Sequence, residues 1–388
     1  MENFNYVSPT YIAFGKGKEE EVGSLIKRYQ GSKVLIVYGG GSVVRSGLLG
    51  RIEKKLEENE ISYVPFGGVQ PNPLSGKVYE GIRAGQENDC DFVLAVGGGS
   101  VIDTAKSIAA GMCYEGDYWD FFEGKEVEKA LPVGVVLTIA ASGSEGSPDA
   151  VLTRESDKKK TAAGGEALRP RFSIMNPELT VTLPMYQTVS GVADIISHVL
   201  ERYFTKTAHV EMTDRMCEGV LKEMIRAGRE VAEDPQNYDV RANIMWGGYV
   251  AHNDILGVGR MQDWGTHHLE HELSALFGCT HGAALAVLIP HWMRAAMQED
   301  VMRFAQLAVN VWGSEMNFER PEETAAAGIR EFASFFREIG LPTTLAELGI
   351  KETDIDKIVD SLFHTAPTHG RFFDITRERA YEIYKNAL

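Results

Sequence analysis

Short β-branched runs and helix-length patterns take turns along the first half of the chain. Lys33-Val-Leu-Ile-Val-Tyr38, Ile61-Ser-Tyr-Val-Pro-Phe66, Phe92-Val-Leu-Ala-Val96 and Val133-Gly-Val-Val-Leu-Thr138 are apolar stretches of strand length, and Gly47 to Glu60, Gly76 to Asn88 and Val101 to Met112 read as helices between them. Strands that alternate with helices predict a parallel sheet covered on both faces. Past Leu183-Pro184 the β-branched runs stop. Amphipathic windows take over at Gln187 to Phe204, Val210 to Glu233, Asp239 to Leu256 and Pro321 to Ile339, with the period of helices that bury one face. The expected architecture is an α/β nucleotide-binding domain over residues 1–184 and an all-α domain over residues 185–388, with no internal repeat or low-complexity segment.

Glycines cluster where the strands of the first half end. Tyr38-Gly-Gly-Gly-Ser42 follows one strand, and Val96-Gly-Gly-Gly-Ser-Val-Ile-Asp-Thr-Ala-Lys106 joins another directly to a helix. In an open α/β sheet, ligands bind at the carboxyl ends of strands, where glycines let backbone N–H groups and a helix N-terminus approach a phosphate. The second turn is therefore the expected pyrophosphate site. Neither run has the GxGxxG spacing of the common dinucleotide fingerprint. A third segment, Thr138-Ile-Ala-Ala-Ser-Gly-Ser-Glu145, places hydroxyls at the end of the next strand, where a ligand could be bonded.

Composition narrows the partners. A net charge of −16 over 388 residues disfavours nucleic acid and anionic membranes. Cys90, Cys113, Cys217 and Cys279 lie far apart and form no CxxC, so neither a disulfide framework nor a cysteine zinc ribbon is expected. The N-terminal residues lack a basic and apolar leader, and no stretch approaches the length of a membrane span. The expected location is the cytoplasm.

The second half carries the chemistry. Asp194-Ile-Ile-Ser-His198 and His267-His-Leu-Glu-His271, followed by His281, gather metal-ligand types that packing gives no reason to collect. On a helix, Asp194 and His198 share one face, as do His267 and His271, with Cβ atoms roughly 5–6 Å apart. Carboxylate and imidazole both bind divalent ions at about 2.0–2.2 Å. Spacing alone leaves open which three or four of these groups close the ligand set.

Taken in order, Gly97-Gly-Gly-Ser-Val-Ile-Asp103-Thr-Ala-Lys106, Ser142-Gly-Ser-Glu145, Asp194-x3-His198 and His267-x3-His271-x9-His281-Gly282 resemble the iron-dependent (group III) alcohol dehydrogenases. Within them the chain is most similar to the butanol dehydrogenase-like aldehyde reductases. The likeness runs over essentially the whole chain. It implies a dehydroquinate synthase-like nucleotide domain, a helical metal-binding domain, and an active site in the cleft between them. It also implies metal ligation by Asp194, His198, His267 and His281. His271 then stands near substrate and nicotinamide as a proton carrier, and His268 is structural. Implied nucleotide contacts are Gly40, Gly41 and Ser42 at the adenosine ribose, Asn72, and Gly98, Gly99 and Ser100 at the pyrophosphate. Thr138, Ser142, Lys160 and Leu183 are implied on the nicotinamide side. Asp103 is implied as a cofactor or domain-organising carboxylate, and Lys106 as structural.

Charge near the first turn bears on the cofactor. An acidic side chain commonly meets the ribose 2′-hydroxyl of NAD, whereas a 2′-phosphate requires neutral or basic surroundings. Gly39-Gly-Gly-Ser42-Val-Val-Arg45 has no carboxylate, so NADP(H) is expected, with NAD(H) as the alternative. The metal is Fe²⁺ or Zn²⁺, between which N/O ligands do not discriminate. It would polarise the oxygen of a small, aliphatic aldehyde or alcohol such as butanal or butanol. Relatives usually follow the Ser-Gly-Ser-Glu motif with Met-Asn-Ser-Gly, where this chain has Gly146-Ser147-Pro148-Asp149, a change expected to open the pocket or alter nicotinamide contacts. Trp246, Tyr249, Ile255, Leu256 and Trp264 are expected pocket residues, and Tyr6 to Phe14 an edge for a homodimer.

Three other readings compete. His267-x2-Glu270-His271 also spells the HxxEH inverted zincin motif, with Glu270 as base, but that leaves the glycine turns without a purpose. A related-fold synthase would call for more basic residues around a phosphorylated substrate. A polyol dehydrogenase would share the plan with a different substrate.

Overall fold

The computed structural model describes residues 1–364 and 366–388. They form two compact units, one of Val7–Leu183 and one of Pro184–Leu388 together with Met1–Tyr6.

The first unit holds eight strands: β1 (Tyr11–Phe14), β2 (Lys33–Gly39), β3 (Ser62–Val69), β4 (Phe92–Gly97), β5 (Val133–Leu137), β6 (Asp149–Thr153), β7 (Lys160–Gly164) and β8 (Phe172–Met175). Its helices are α1 (Val22–Arg28), α2 (Ser42–Arg45), α3 (Leu48–Glu58), α4 (Ser75–Glu87) and α5 (Gly99–Gly111). Six strands make a sheet in the order β1-β8-β5-β4-β2-β3, with every neighbouring pair parallel. Each residue of β4, β5 and β8 is buried, which is why these strands are unbroken apolar runs in sequence.

From β2 the chain steps outward to β3 and then returns to the other side of β2 as β4. Ligands of open α/β sheets sit outside the carboxyl ends of strands at such a reversal. Tyr38 pairs with Val96 in the ladder, so the turns that follow, Gly39 to Gly41 and Gly97 to Ser100, are neighbours.

Two features differ from the sequence expectation. The segment after β5 has no helix pattern and contains an antiparallel hairpin, β6 with β7, outside the main sheet. Met1–Tyr6 packs with the helical unit: Glu2 N–H donates to Gly259 O (2.9 Å), and Thr207 Oγ1 donates to the Glu2 carboxylate (2.7 Å).

The second unit contains α6 (Met185–Tyr203), α7 (Glu211–Glu233), α8 (Tyr238–His252), α9 (Gly265–Phe277), α10 (His281–Ala296), α11 (Val301–Leu307), α12 (Pro321–Glu338), α13 (Ile355–Leu362) and α14 (Arg377–Asn386). All the strands named above lie outside this unit. α6 is buried continuously from Thr188 to Tyr203, and α10 from Gly282 to Pro290. Among the described residues no helix is long and apolar enough to cross a membrane.

Candidate metal centre

Three elements of the helical unit bring the ligand types together. α6 carries Asp194 and His198 one turn apart, the first turn of α9 carries His267, and α10 begins at His281. Asp194, His267 and His281 each offer a ligand atom, all within 4.8 Å of one another. His267 Nε2 lies 3.9 Å and His281 Nε2 3.5 Å from Asp194 Oδ1. His198 falls outside that tightest set but adjoins it. Its Nδ1 is 3.7 Å from Asp194 Oδ1, and its ring stacks on His267 at 4.8 Å.

Two carboxylates aim the imidazoles. Glu201, one turn beyond His198 on α6, accepts from both the backbone N–H of His267 and its ring Nδ1, each at 3.0 Å, and from Thr266 Oγ1. Burial pushes the Glu201 carboxyl up, but the hydrogen bonds it accepts from His267 and Thr266 outweigh it and leave its pKa below the ordinary value. Glu270 on α9 pairs with His281 Nδ1 and accepts from Ser274 Oγ. With each Nδ1 donating to a carboxylate, each Nε2 keeps a lone pair turned toward Asp194. Such outer carboxylates fix tautomer and ring orientation in metal sites. Sequence spacing gives no hint of Glu201, which stands 66 positions from His267.

The residues fit a divalent ion. His267 Nε2 and His198 Nδ1 are buried with no hydrogen-bond partner, a costly condition that an ion would relieve. Burial, then the neighbouring His252, His267 and Arg202, hold His198 well below the ordinary imidazole range, so it is neutral and able to ligate. One carboxylate with imidazole nitrogens suits Fe²⁺ or Zn²⁺.

His252 adjoins the centre, its ring 4.3 Å from that of His198, whereas His271 and His268 stand further off. His271 has its ring 6.4 Å from His267 and 6.1 Å from His281. His268 points elsewhere, 5.1 Å from the His369 ring, and burial lowers its pKa to about 4. Glu270 is fully buried and engaged by His281 and Ser274, which leaves it no place as the solvent-facing base of an HxxEH peptidase. Of the expected pocket residues, Trp264 stands beside the ligands, its ring 5.2 Å from His267. Its φ of 68° is strained for a bulky side chain. Leu256 is core, and Trp246 is exposed and stacked on Tyr249.

In the α/β unit, Gly98 caps α5 and Gly99 opens it. A Cβ on Gly99 would lie 2.3 Å from Ser142 Oγ, so the hydroxyl segment rests directly on this turn. Thr138 N–H donates to Gly97 O (3.0 Å), holding the end of β5 against the same turn. Gly40 faces open space, Gly41 has φ of 108°, and Ser42 begins α2. Asn72 and Lys160 meet at 3.4 Å. Leu183 and Ser142 are half-buried, and Ser100 lies in the first turn of α5.

Family models for iron-containing alcohol dehydrogenase and for the C-terminal region of the Fe-containing alcohol dehydrogenase family match residues 9–177 and 188–388. The chain belongs to the iron-containing alcohol dehydrogenase family. The NADH-dependent butanol dehydrogenase A of Clostridium acetobutylicum is 39% identical over 100% of both chains. The NADPH-dependent aldehyde reductase YqhD of Escherichia coli is 36% identical, again over 100% of both. The crystal structure of an NADH-dependent butanol dehydrogenase A from Thermotoga maritima matches with a TM-score of 0.96 and 39% identity, covering 100% of this chain and 99% of that one.

This iron-containing alcohol dehydrogenase family member turns its Gly146-Ser147-Pro148-Asp149 segment inward. Arg169 Nη1 donates to Gly146 O (2.7 Å), and Ser147 is buried. The small residues are thus packed inside the α/β unit. Asp103 is also buried, accepting from Ser144 Oγ (2.6 Å) and Val151 N–H (3.1 Å). Burial lowers Lys106 to about 8, while Asp103 opposes the fall.

Glu145 lies in the same interior, and its Oε1 has no hydrogen-bond partner. Burial pushes its carboxyl from 4.5 up to about 7. A raised carboxyl favours the fold where it is protonated, so this contribution is whole below pH 4.5 and is lost as pH rises through about 7. Glu145→Gln, which imitates the protonated acid, should match the parent near pH 4.5. By pH 8 it should exceed it by on the order of 2–3 kcal/mol. Thermal melts across that range check it; a pH-independent difference would refute the assignment.

Proposed function

We propose that the protein is a metal-dependent alcohol dehydrogenase of the aldehyde-reducing kind, passing hydride between NADP(H) and a small aliphatic aldehyde or alcohol, butanal and butanol among them. The observation that carries this reading is the set of Nε2 lone pairs, fixed by buried carboxylates, around Asp194 in a chain matched by the family over nearly its whole length.

Asp194, His198, His267 and His281 hold the ion, with Asp194 supplying the one negative charge of the set. When bound, Fe²⁺ or Zn²⁺ supplies Lewis acidity toward the carbonyl oxygen and the nicotinamide supplies hydride. Glu201 and Glu270 keep the imidazoles from rotating. His271 gives the proton that the oxygen takes up as alcohol forms. Gly98, Gly99 and Ser100 offer backbone N–H groups to the pyrophosphate. Gly40, Gly41 and Ser42 face the adenosine ribose, with Asn72, Thr138, Ser142, Lys160 and Leu183 completing the nucleotide site and Asp103 organising it from behind through Ser144 and Val151. β1 is the end strand of the sheet, next to β8, and this edge is the proposed seam of a homodimer. The partners are small molecules of the cytoplasm, and a net charge of −16 argues against nucleic acid and membrane.

The test is loss of nicotinamide absorbance with NADPH and with NADH against aldehydes from acetaldehyde to hexanal, using protein reconstituted with Fe²⁺ or Zn²⁺. Oxidation of neither cofactor with any aldehyde would defeat the reading. Cofactor choice has its own check. A side chain at Gly41 would be strained by its φ of 108°, whereas a Cβ on Gly40 meets nothing within 4 Å. Gly40→Asp should therefore lower the NADPH-to-NADH ratio of kcat/KM by about tenfold or more. An unchanged ratio would remove Gly40 from the ribose site.

A further inference from the structure

Lys106 is fully buried in the middle of α5, yet its ammonium reaches across to the segment that follows β5. Nζ donates to Asp149 O (2.8 Å), Ser147 O (2.9 Å) and Ser144 Oγ (3.0 Å), with Ser147 Oγ at 3.3 Å. Ser144 Oγ in turn donates to Asp103, one turn earlier on the same helix. One hydroxyl thereby bridges a buried ammonium and a buried carboxylate. Arg169 fastens the Gly146 carbonyl of the same segment.

The segment secured in this way is the one that lies on the helix start. Ser142 sits against Gly99, and Ser144 N–H approaches Ser142 Oγ at 3.4 Å. α5 therefore meets the segment twice, at its first turn through Gly99 and in its interior through Asp103 and Lys106. Burying an ammonium and a carboxylate is a poor source of stability, since desolvating them costs as much as their attraction returns, and well-packed apolar groups often serve as well. What the ammonium does supply is direction, because its three protons are shared among two carbonyls and two hydroxyls of the one segment.

We propose that Lys106 is a positioning residue for the nucleotide: through Ser144, Ser147 and Asp149 it fixes the Ser142 segment on the N-terminus of α5, so that Ser142 and the Gly98–Ser100 amides stay in the arrangement that receives the cofactor. The proposal rests on the nucleotide reading given above. Lys106 has no part in the chemistry and touches no metal ligand.

The test compares Lys106→Met with the double variant Asp103→Asn/Lys106→Met, which removes both charges together. NADPH and NADH dissociation constants are read from nucleotide fluorescence or calorimetry, alongside melting temperature and metal content. Lys106→Met leaves Asp103 without its cation, and both melting temperature and affinity should fall. The double variant should regain much of the melting temperature while still binding nucleotide about tenfold more weakly than the parent, the weight of a lost charged hydrogen-bond set. Metal content should stay at the parent level in both. Parent-like affinity in the double variant would overturn the proposal and leave Lys106 a structural residue. A parent protein that binds neither nucleotide would overturn the nucleotide reading itself, a result the variants cannot imitate. Should removal of charge prevent folding, Ser144→Ala deletes only the bridging hydroxyl. It should weaken nucleotide binding about threefold, against no change if the segment is held without it.

Discussion

Asp194→Ala should lose metal and turnover together, with kcat/KM expected to fall by about three orders of magnitude or more. Losing an outer partner of a metal ligand typically costs roughly 10- to 100-fold, and Asp194 is a more central group. Its Oδ1 is the atom about which His198, His267 and His281 are grouped at 3.5 to 3.9 Å. Among the described residues it is also the one carboxylate grouped with the imidazoles, Glu201 and Glu270 being turned to ring Nδ1 atoms. Without it, neutral imidazoles alone face the ion. Metal analysis and steady-state kinetics on the same preparation check the result, with NADPH binding as the sign that the α/β unit is intact. Full turnover in the metal-free variant would sink the mechanism.

Gly282→Ala should destabilise the protein by more than about 3 kcal/mol and strip its metal at the same time. A Cβ at this position would lie 1.9 Å from Ser190 O and 2.7 Å from Ser190 C. Both are backbone atoms of α6, so no rotamer change relieves the clash, and the start of α10 must move away. His281 precedes Gly282, while α6 bears Asp194 and His198, so the same displacement parts the ligands. Gly219 on α7 is the control, since a Cβ there meets nothing within 4 Å. Gly219→Ala should be neutral or stabilising by up to about 1 kcal/mol. Thermal melts and metal content read both variants, and a Gly282→Ala protein with parental values would mean that the helices are not in contact there.

The strands legible in sequence were β2, β3, β4 and β5: β2, β4 and β5 as apolar runs that are largely buried, and β3, a less buried strand at the end of the sheet, by its β-branched and aromatic residues. β8 is as deeply buried, yet Phe-Ser-Ile-Met is too short and too mixed to stand out. β7, Lys-Thr-Ala-Ala-Gly, has a composition that suits no element in particular. α10 escaped the period-3.6 reading because it is apolar nearly all round and carries Pro290 inside. At the metal centre, the ligand residue types were legible as i,i+4 pairs. Spacing could not separate His267 from His271, since both share a helix face. The difference lies in Glu201, far away in sequence, which claims the Nδ1 of His267. Asp103 is different again: sequence leaves it either a cofactor or a domain-organising carboxylate, and what it cannot show is that the two oxygens accept from Ser144 and Val151.

The pairing of Met1–Tyr6 with residues beyond Pro184 has a consequence for how the chain is made. On the ribosome the α/β unit, Val7–Leu183, is complete as soon as its last strand emerges, and it is free to fold while the helices are still being synthesised. The helical unit is interrupted: its first six residues must wait until Thr207 and Gly259 exist before Glu2 finds its partners. Residues made early are thus placed late, since Glu2 cannot be paired before the stretch from Thr207 to Gly259 has been synthesised.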